Sequence, residues 1–239
     1  MIGKTHWVGG LAFGLMTERA MLELAAPIID PTSTIEAYGV PIPTVLVAFT
    51  TVSIASLFPD IDQPTSTIAN WPRKTHQWLF PKRAQEHFVR TVIRQFFYII
   101  FSPLNILMQV ISKSIRLLAG GHRAGTHWLI TCLAISGGIY LVGEYLNVPN
   151  LGIWFLVGYL SHLILDMMTI AGLKVLQPIS QQSWHLLPKR FRVRTGGRFD
   201  HRLRALFWVI CVILLGIAIF PILSPNTTTG LMKSVSFNV

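Results

Sequence analysis

Residues 158 to 167 read GYLSHLILDM, a run apolar enough to lie in a lipid bilayer except that it carries His162 and Asp166. Residues four positions apart share one face of an α-helix, so this spacing places the imidazole and the carboxylate side by side. Ionisable groups are costly in hydrocarbon and are expected to face other helices or a wet cavity. Two interpretations stay open for the pair: a hydrogen bond that fixes helix packing, or part of a functional site.

The composition around this run indicates an integral membrane protein. Hydrophobic residues make up 51% of the 239 residues and charged residues only 13%, about half the usual share in soluble domains. The formal net charge is +10 and is concentrated in two regions: nine of the 20 Lys and Arg lie between Arg73 and Arg123, and eight between Lys174 and Arg204. The two cysteines lie in apolar runs without metal-binding spacing, which predicts small core residues.

The apolar runs predict the membrane spans. A helix needs about 20 residues to cross a hydrocarbon core of roughly 30 Å. Spans are predicted at about 41–58, 127–146, 151–173 and 205–223, with a more ambiguous one at about 5–26. Two further stretches are ambiguous: about 84–101 suits a helix in the headgroup plane, and about 104–118, which begins after Pro103, is expected to be interfacial or re-entrant. We therefore expect an all-α, polytopic membrane helical bundle with about 4–5 transmembrane helices plus interfacial amphipathic helices, forming a single domain over residues 1–239.

The positive charge predicts the orientation. Lys and Arg are enriched on the cytoplasmic side, so the basic loops, about 63–125 and 174–204, are expected there. The linker at about 144–150 has no Lys or Arg and is expected outside, as is the C-terminus. The protein is then a multi-pass inner (plasma) membrane protein with a cytoplasmic N-terminus. His162 and Asp166 lie about 18 Å and 12 Å from Lys174 at 1.5 Å per residue, in the inner half of their helix.

A pair of acidic residues is expected at the same depth. The stretch SLFPDIDQP ends the second predicted span with Asp60 and Asp62 on either side of one isoleucine. Two carboxylates this close repel each other unless a cation or an arginine compensates, so the spacing suits a divalent metal or a basic partner. The alternative is a solvated turn, because Asp and Pro favour turns at helix ends.

A second polar motif, GGHRAGTHW, precedes the third predicted span. His122 and His127 could ligate together across a tight turn, with Arg123 placed to bind an oxyanion. The alternative makes His127 an interface anchor and Thr126 a helix cap. His6 begins the first helix, again on the cytoplasmic side.

Asp200 is the only acidic residue of the second basic loop, after two glycines that permit a sharp turn back towards the membrane. Imidazoles and carboxylates together suit zinc or a similar divalent ion, and more than four candidate ligands allow two ions. Such a site polarises an oxyanion and activates water, which is hydrolytic chemistry. The chain has no HExxH, GxSxG or Walker lysine motif, which excludes the familiar soluble protease, esterase and NTPase classes.

With these motifs in the same order, the chain resembles the bacterial YdjM-like family of predicted membrane-bound metal-dependent hydrolases. The matching pieces are LFPDIDQPTS at 57–66, GHRAGTHW at 121–128, GYLSHLILDMMTIAGLKVLQP at 158–178 and TGGRFD at 195–200, together with the opening THWVGG. The resemblance implies metal-binding roles for His6, Asp60, Asp62, His122, His127, His162, Asp166 and Asp200. A more distant likeness, to zinc-dependent phospholipase C and P1-type nucleases, rests on HxxxD and an N-terminal histidine.

Two departures from the family pattern concern the substrate cavity. The family's HRGxTHS reads HRAGTHW here, with Trp128 replacing a small hydroxyl residue, and Ile170 replaces a proline after DxxT. The candidate ligands are unaffected.

The sequence thus predicts a metal-dependent hydrolase of a phosphoester, a phospholipid or lipid-linked phosphate, at the cytoplasmic leaflet. The expected cofactor is a divalent metal, Zn²⁺ as one or two ions, and the candidate catalytic residues are Arg123 and His122. Anionic lipid headgroups are the expected partners, since each Lys or Arg near a membrane surface contributes on the order of 1 kcal/mol. Nucleic acid is not expected, because topology already explains the basic loops. The alternative is a non-enzymatic membrane protein with a structural or transport-related metal or proton site.

Overall fold

The structure is a computed structural model that describes residues 3–23, 34–37, 40–81, 88–121 and 124–223. Its helices are α1 (Gly3–Glu23), α2 (Thr44–Ala55), α3 (Trp71–Leu79), α4 (Phe88–Leu118), α5 (Leu129–Tyr145), α6 (Leu151–Met167) and α7 (Arg198–Leu223). Two short 3-10 turns matter for the site: the PDID turn (Phe58–Asp62) and the GTH turn (Gly125–His127). The predicted helical architecture is confirmed within the described residues, apart from one short hairpin.

Helix α6, which contains GYLSHLILDM, is the central helix of the bundle. It packs against α1, α2 and α5, and ten of its 17 residues are buried. Trp154, Tyr159 and Leu163 are at most 1% exposed. A helix that is apolar on every side is stable only where it is surrounded, which is the position α6 occupies.

Glycines allow the helices around α6 to approach closely. A Cβ added at Gly158 would lie 2.8 Å from the Cβ of Ala55 on α2, and one added at Gly10 on α1 would lie 2.7 Å from the Ser56 hydroxyl oxygen. Small residues at helix crossings are typical of membrane bundles, where close backbone packing replaces the hydrophobic effect. These contacts set the distances at which α1 and α2 present polar groups to α6.

Helix α1 is held between α6 and α7. Val8 and Ala12 of α1 belong to a buried cluster with Leu165 of α6 and with Phe207 and Cys211 of α7. The cluster fixes α1 along its length, so the N-terminal turn of α1 lies beside the C-terminal half of α6.

The segment between α6 and α7 is irregular but ordered by backbone hydrogen bonds. Helix α6 ends at Met167, earlier than the predicted 173, and the Thr169 hydroxyl donates to the Asp166 carbonyl at 2.7 Å. The Val193 N–H then donates to Met168 at 3.0 Å, and the Leu129 N–H at the start of α5 donates to Val175 at 2.8 Å. The segment therefore lies against the ends of α5 and α6.

The predicted separation of residues 84–101 from residues 104–118 at Pro103 is wrong for the described residues. Helix α4 is one continuous helix of 31 residues that passes through Pro103. Its polar residues remain in phase across the proline, and Gln109 donates to the Pro64 carbonyl at 2.8 Å and to the Asn70 side chain at 3.0 Å. These tertiary contacts outweigh the one helical hydrogen bond that a proline removes.

The second predicted span, about 41–58, begins within a short antiparallel hairpin that the sequence analysis did not predict. Strand β1 (Thr34–Ala37) pairs with β2 (Val40–Pro43) in the register that places Thr34 opposite Pro43. The hairpin leads directly into α2.

The prediction of about 4–5 transmembrane helices is not confirmed by length and hydropathy. Among the described residues, one helical stretch, Thr91–Leu118, is long and apolar enough to cross a membrane. Three shorter helical stretches are also apolar: Leu46–Ala55, Leu129–Tyr145 and Leu151–Met167. This stretch was not predicted to span, because a span there would place the basic segments before and after it on opposite faces of the membrane, which the positive-inside rule disfavours.

Candidate metal centre

Five of the predicted ligands meet in one cluster inside the bundle. Helix α1 supplies His6, the PDID turn supplies Asp60, the GTH turn supplies His127, and α6 supplies His162 and Asp166. The three imidazoles and Asp166 are at most 2% exposed at their side chains, whereas Asp60 is 19% exposed. Asp60 is therefore the member of this cluster nearest to solvent.

Each imidazole Nε2 in the cluster lies close to at least one carboxylate oxygen. Nε2 of His127 and Nε2 of His162 each lie 3.8 Å from Oδ1 of Asp60 and 3.8 Å from Oδ2 of Asp166. Nε2 of His6 lies 3.4 Å from Oδ1 of Asp166. Two ligand atoms held about 2.1 Å from one tetrahedral zinc ion are roughly 3.4 Å apart. The separations are thus close to those of atoms that share one ion.

The tautomer of His162 decides whether these residues fit a metal. Its Nδ1 lies 2.8 Å from the Ser56 carbonyl oxygen, and a carbonyl only accepts, so Nδ1 carries the proton. Neutral His162 therefore directs the Nε2 lone pair at the carboxylates of Asp60 and Asp166. Nε2 has no hydrogen-bond partner among the described residues, and a proton on it could not bond either oxygen across 3.8 Å. A cation between Nε2 of His162 and the carboxylates of Asp60 and Asp166 would bind all three groups. The donor set therefore fits a divalent ion.

His127 is oriented from behind by Thr126. The Thr126 hydroxyl oxygen lies 3.0 Å from His127 Nδ1 and 2.9 Å from Asp62 Oδ2. The hydroxyl donates to the carboxylate and accepts from Nδ1–H, which leaves Nε2 of His127 directed at the cluster. Metal-binding histidines commonly use their second nitrogen in this way. Sequence reasoning missed this role for Thr126, although its position beside His127 was the available signal.

A ring-stacking contact and a tyrosine hydrogen bond hold the cluster in place. The rings of His6 and His162 stack with centroids 3.8 Å apart and planes 13° apart, which ties α1 to α6 at the site. The Tyr159 hydroxyl donates to the Thr126 carbonyl, which ties the GTH turn to the same helix. Tyr159 lies three residues before His162, so one turn of α6 positions both His162 and His127.

Electrostatics keep Asp60 ionised. Burial alone would raise its pKa, but positive charge on the facing imidazoles of His162, His6 and His127, when they are protonated, outweighs this effect and lowers the pKa below its ordinary value. Asp60 is therefore a carboxylate at neutral pH.

The remaining predicted residues lie elsewhere. Asp62 and Asp200 belong to neither of the two described ligand groups. Asp62 is fully buried behind Thr126, and Asp200 accepts a hydrogen bond from the Gly196 N–H at 2.8 Å at the start of α7. His122 and Arg123 lie outside the described residues. Ligand roles for Asp62, Asp200 and His122, and an anion-binding role for Arg123, stay predictions.

Comparison with known families identifies the chain. The sequence model of one family, described as YdjM inner membrane protein, matches residues 1–225. The chain belongs to the YdjM inner membrane protein family. The resemblance inferred from the motifs is confirmed, and the coarse prediction of an inner membrane protein agrees with the YdjM description. The distant likeness to phospholipase C is not confirmed: neither the curated proteins nor the solved structures provide a match.

The range that matches the YdjM family model includes all five candidate ligands, from His6 to Asp166. The YdjM description names a location and no activity. The chemistry must therefore be argued from the cluster itself.

Proposed function

We propose that the protein is a membrane-embedded, metal-dependent hydrolase of a phosphoester at the cytoplasmic leaflet, with a phospholipid or lipid-linked phosphate as substrate. The observation that carries this proposal is the Nε2 lone pair of His162, fixed by Ser56 and directed at two carboxylates 3.8 Å away. Three imidazoles and two carboxylates form a donor set suited to Zn²⁺.

The tautomer of His162 favours one ion over two. Both described ligand groups include His162, one with His6 and Asp60 and the other with His127 and Asp166. Because Nδ1 donates to Ser56, only Nε2 can bind a metal, and one lone pair binds one ion. We therefore propose a single Zn²⁺ at His162, with its other ligands drawn from these five residues so that one coordination position is left for water.

Zinc in such a site lowers the pKa of a coordinated water and polarises a phosphoryl oxygen. The chain's own residues supply the geometry. Thr126 and Asp62 hold His127 in the tautomer that faces the cluster, and Ser56 does the same for His162. Asp60 is the only one of the five ligands with appreciable exposure, so substrate approaches along its side. We assign orientation of the anionic group to Arg123, which lies two residues before the GTH turn in the sequence.

We further propose that α1, α2, α5, α6 and α7 form the membrane bundle, with the basic loops and the metal site on the cytoplasmic side. A 17-residue helix such as α5 is about 26 Å long, close to the hydrocarbon thickness. The stretch between α5 and α6 has no Lys or Arg, whereas the segment after α6 is rich in both, which is the pattern expected of an outer and an inner loop.

Helix α4 lies in the plane of the membrane in this arrangement. Its principal described packing partners are α3 and the PDID turn, not the bundle helices. Its opposite face exposes large apolar side chains, including Phe88 at 81% and Ile99 at 63%. An amphipathic helix with its polar side on protein and its apolar side uncovered suits the headgroup–acyl boundary.

Metal analysis of the detergent-purified protein tests the proposal. We expect about one zinc ion per chain and hydrolysis of a chromogenic phosphodiester or of phosphatidylglycerol vesicles. Asp166→Asn, which keeps the shape and removes the charge, should lose both metal and activity. Glu144→Gln, at an exposed position of α5, removes one charge away from the site and should lose neither. Full metal occupancy in both Asp166→Asn and His162→Ala would overturn the shared site.

A second function is favoured by the depth of the cluster. Four of the five ligand side chains are at most 2% exposed, which also suits a structural or transport-related metal or proton site. An open coordination position separates the alternatives, because structural zinc sites are closed and catalytic sites keep a position for water. X-ray absorption of the zinc-loaded protein distinguishes them: four protein ligands without a water-derived oxygen, together with no ester hydrolysis, would favour the second function.

A further inference from the structure

A cavity between α3 and α4 lies apart from the metal centre. It has a volume of about 510 Å³, and its lining includes Arg73, Gln77, Arg94 and Tyr98. None of the described lining residues is a metal-centre ligand, an aspartate or a glutamate. Its volume lies within the usual range for a small-molecule site.

The donors converge in pairs from the two helices. Arg73 and Gln77 are four residues apart on α3, and Arg94 and Tyr98 are four residues apart on α4, so each helix directs one guanidinium and one neutral donor to the same space. His76 fixes the spacing of the helices, because its Nε2–H donates to the Arg94 carbonyl at 2.9 Å. The hydrogen bond from His76 therefore fixes the packing of the two helices that frame the cavity.

Positive charge accumulates at this end of α3. The pKa of Lys74 is lowered by its partial burial and, further, by the charges of Arg73 and Lys4. Two guanidinium groups with neutral N–H and O–H donors match the tetrahedral oxygens of a phosphate group. An oxyanion in the cavity would face Arg73 from α3 and Arg94 from α4.

We propose that this cavity binds a phosphate group, presented by a lipid headgroup or by a soluble phosphate ester. The surroundings suit a position at headgroup depth, since Trp78 is 78% exposed and Leu79 is 46% exposed beside the cavity, and tryptophan is enriched at membrane interfaces. The proposal does not depend on hydrolysis at the metal centre.

The test measures binding in two arms. Glycerol 3-phosphate is titrated into the detergent-purified full-length protein by calorimetry, and retention of phosphatidylglycerol from nanodiscs is measured by native mass spectrometry. The variant Arg73→Gln/Arg94→Gln removes both guanidinium groups and keeps side chains that can hydrogen-bond. The control Arg198→Gln/Arg202→Gln removes the same charge from two exposed positions one turn apart on α7. Helicity and thermal unfolding of both double variants check folding.

We expect the cavity variant to weaken phosphate binding by about tenfold or more, as for lost charge-assisted hydrogen bonds, and the control to change it by less than about threefold. Binding in the calorimetric arm would identify a soluble ester as sufficient, and binding in the lipid arm alone would identify the headgroup. Absence of binding in both arms, or equal losses in the two double variants, would overturn the proposal. Both arms are repeated with Asp166→Asn, which disables the metal centre. Binding that still depends on Arg73 and Arg94 in this variant shows that the cavity acts independently of the metal centre.

Discussion

The hydroxyl group of Thr126 donates a hydrogen bond to Asp62 at 2.9 Å while contacting Nδ1 of His127 at 3.0 Å. Asp62 thereby contacts the candidate metal centre through a hydroxyl group and an imidazole. Its sequence neighbour Asp60, two positions away, has its carboxylate within the cluster itself. The PDID turn thus separates two adjacent carboxylates into different positions relative to the proposed ion.

Thr126→Val is expected to lower zinc affinity about 10–100-fold, the usual effect of losing a group that orients a ligand. Valine preserves the shape and removes the hydroxyl that fixes the His127 tautomer. Competition with a chromogenic chelator measures the affinity. Thr126→Ser keeps the hydroxyl and should bind within a few-fold of the wild type. Equal affinities for the valine and serine variants would show that the hydroxyl does not orient His127.

Gly158→Ala is expected to destabilise the bundle by about 1–3 kcal/mol, because the added methyl group meets α2 backbone and Ala55. Gly138→Ala on α5 is the matched control, since nothing lies within 4 Å of its added Cβ. The control should be neutral or stabilising by up to roughly 1 kcal/mol. Thermal unfolding in detergent, followed by circular dichroism, gives the difference. Equal unfolding temperatures for the two variants would contradict the close α2–α6 crossing.

Cysteine labelling tests the orientation of the bundle. Tyr145→Cys and Ile179→Cys introduce thiols at positions that are 85% and 87% exposed. Native Cys132 and Cys211 are at most 2% exposed and should not react with the maleimide in the folded protein. With an impermeant maleimide on intact spheroplasts, Tyr145→Cys should be labelled and Ile179→Cys only after permeabilisation. The reverse pattern would invert the proposed topology.

The same reagent distinguishes an in-plane α4 from a spanning one. Val89→Cys and Leu118→Cys lie near opposite ends of the helix and are exposed by 66% and 87%. If α4 lies in the cytoplasmic boundary, both thiols should be protected in intact spheroplasts and should react after permeabilisation. Labelling of one end from outside would show that α4 crosses the membrane, which its length and hydropathy permit.

The sequence was most informative where one helix carries both partners. The spacing of His162 and Asp166 predicts a shared face because helical geometry is local. The convergence of His6 and Asp60 on that face depends on glycine-mediated crossings, which no single motif encodes. Asp62 and Asp60 are indistinguishable by type and position in the sequence, and only the turn that the chain adopts assigns them different places. The predicted break in α4 at Pro103 was wrong. The sequence shows the helical hydrogen bond that a proline removes, but it does not show the tertiary contacts of Gln109 that compensate for it.

The cluster draws its members from both ends of a long stretch of chain, with His6 in the first helix and Asp166 in the sixth. During synthesis, His6 is therefore made long before His162 and Asp166, its partners on α6. Acquisition of the proposed zinc ion is then a late event that requires a completed bundle, and a chain truncated before α6 lacks the candidate ligands His162 and Asp166.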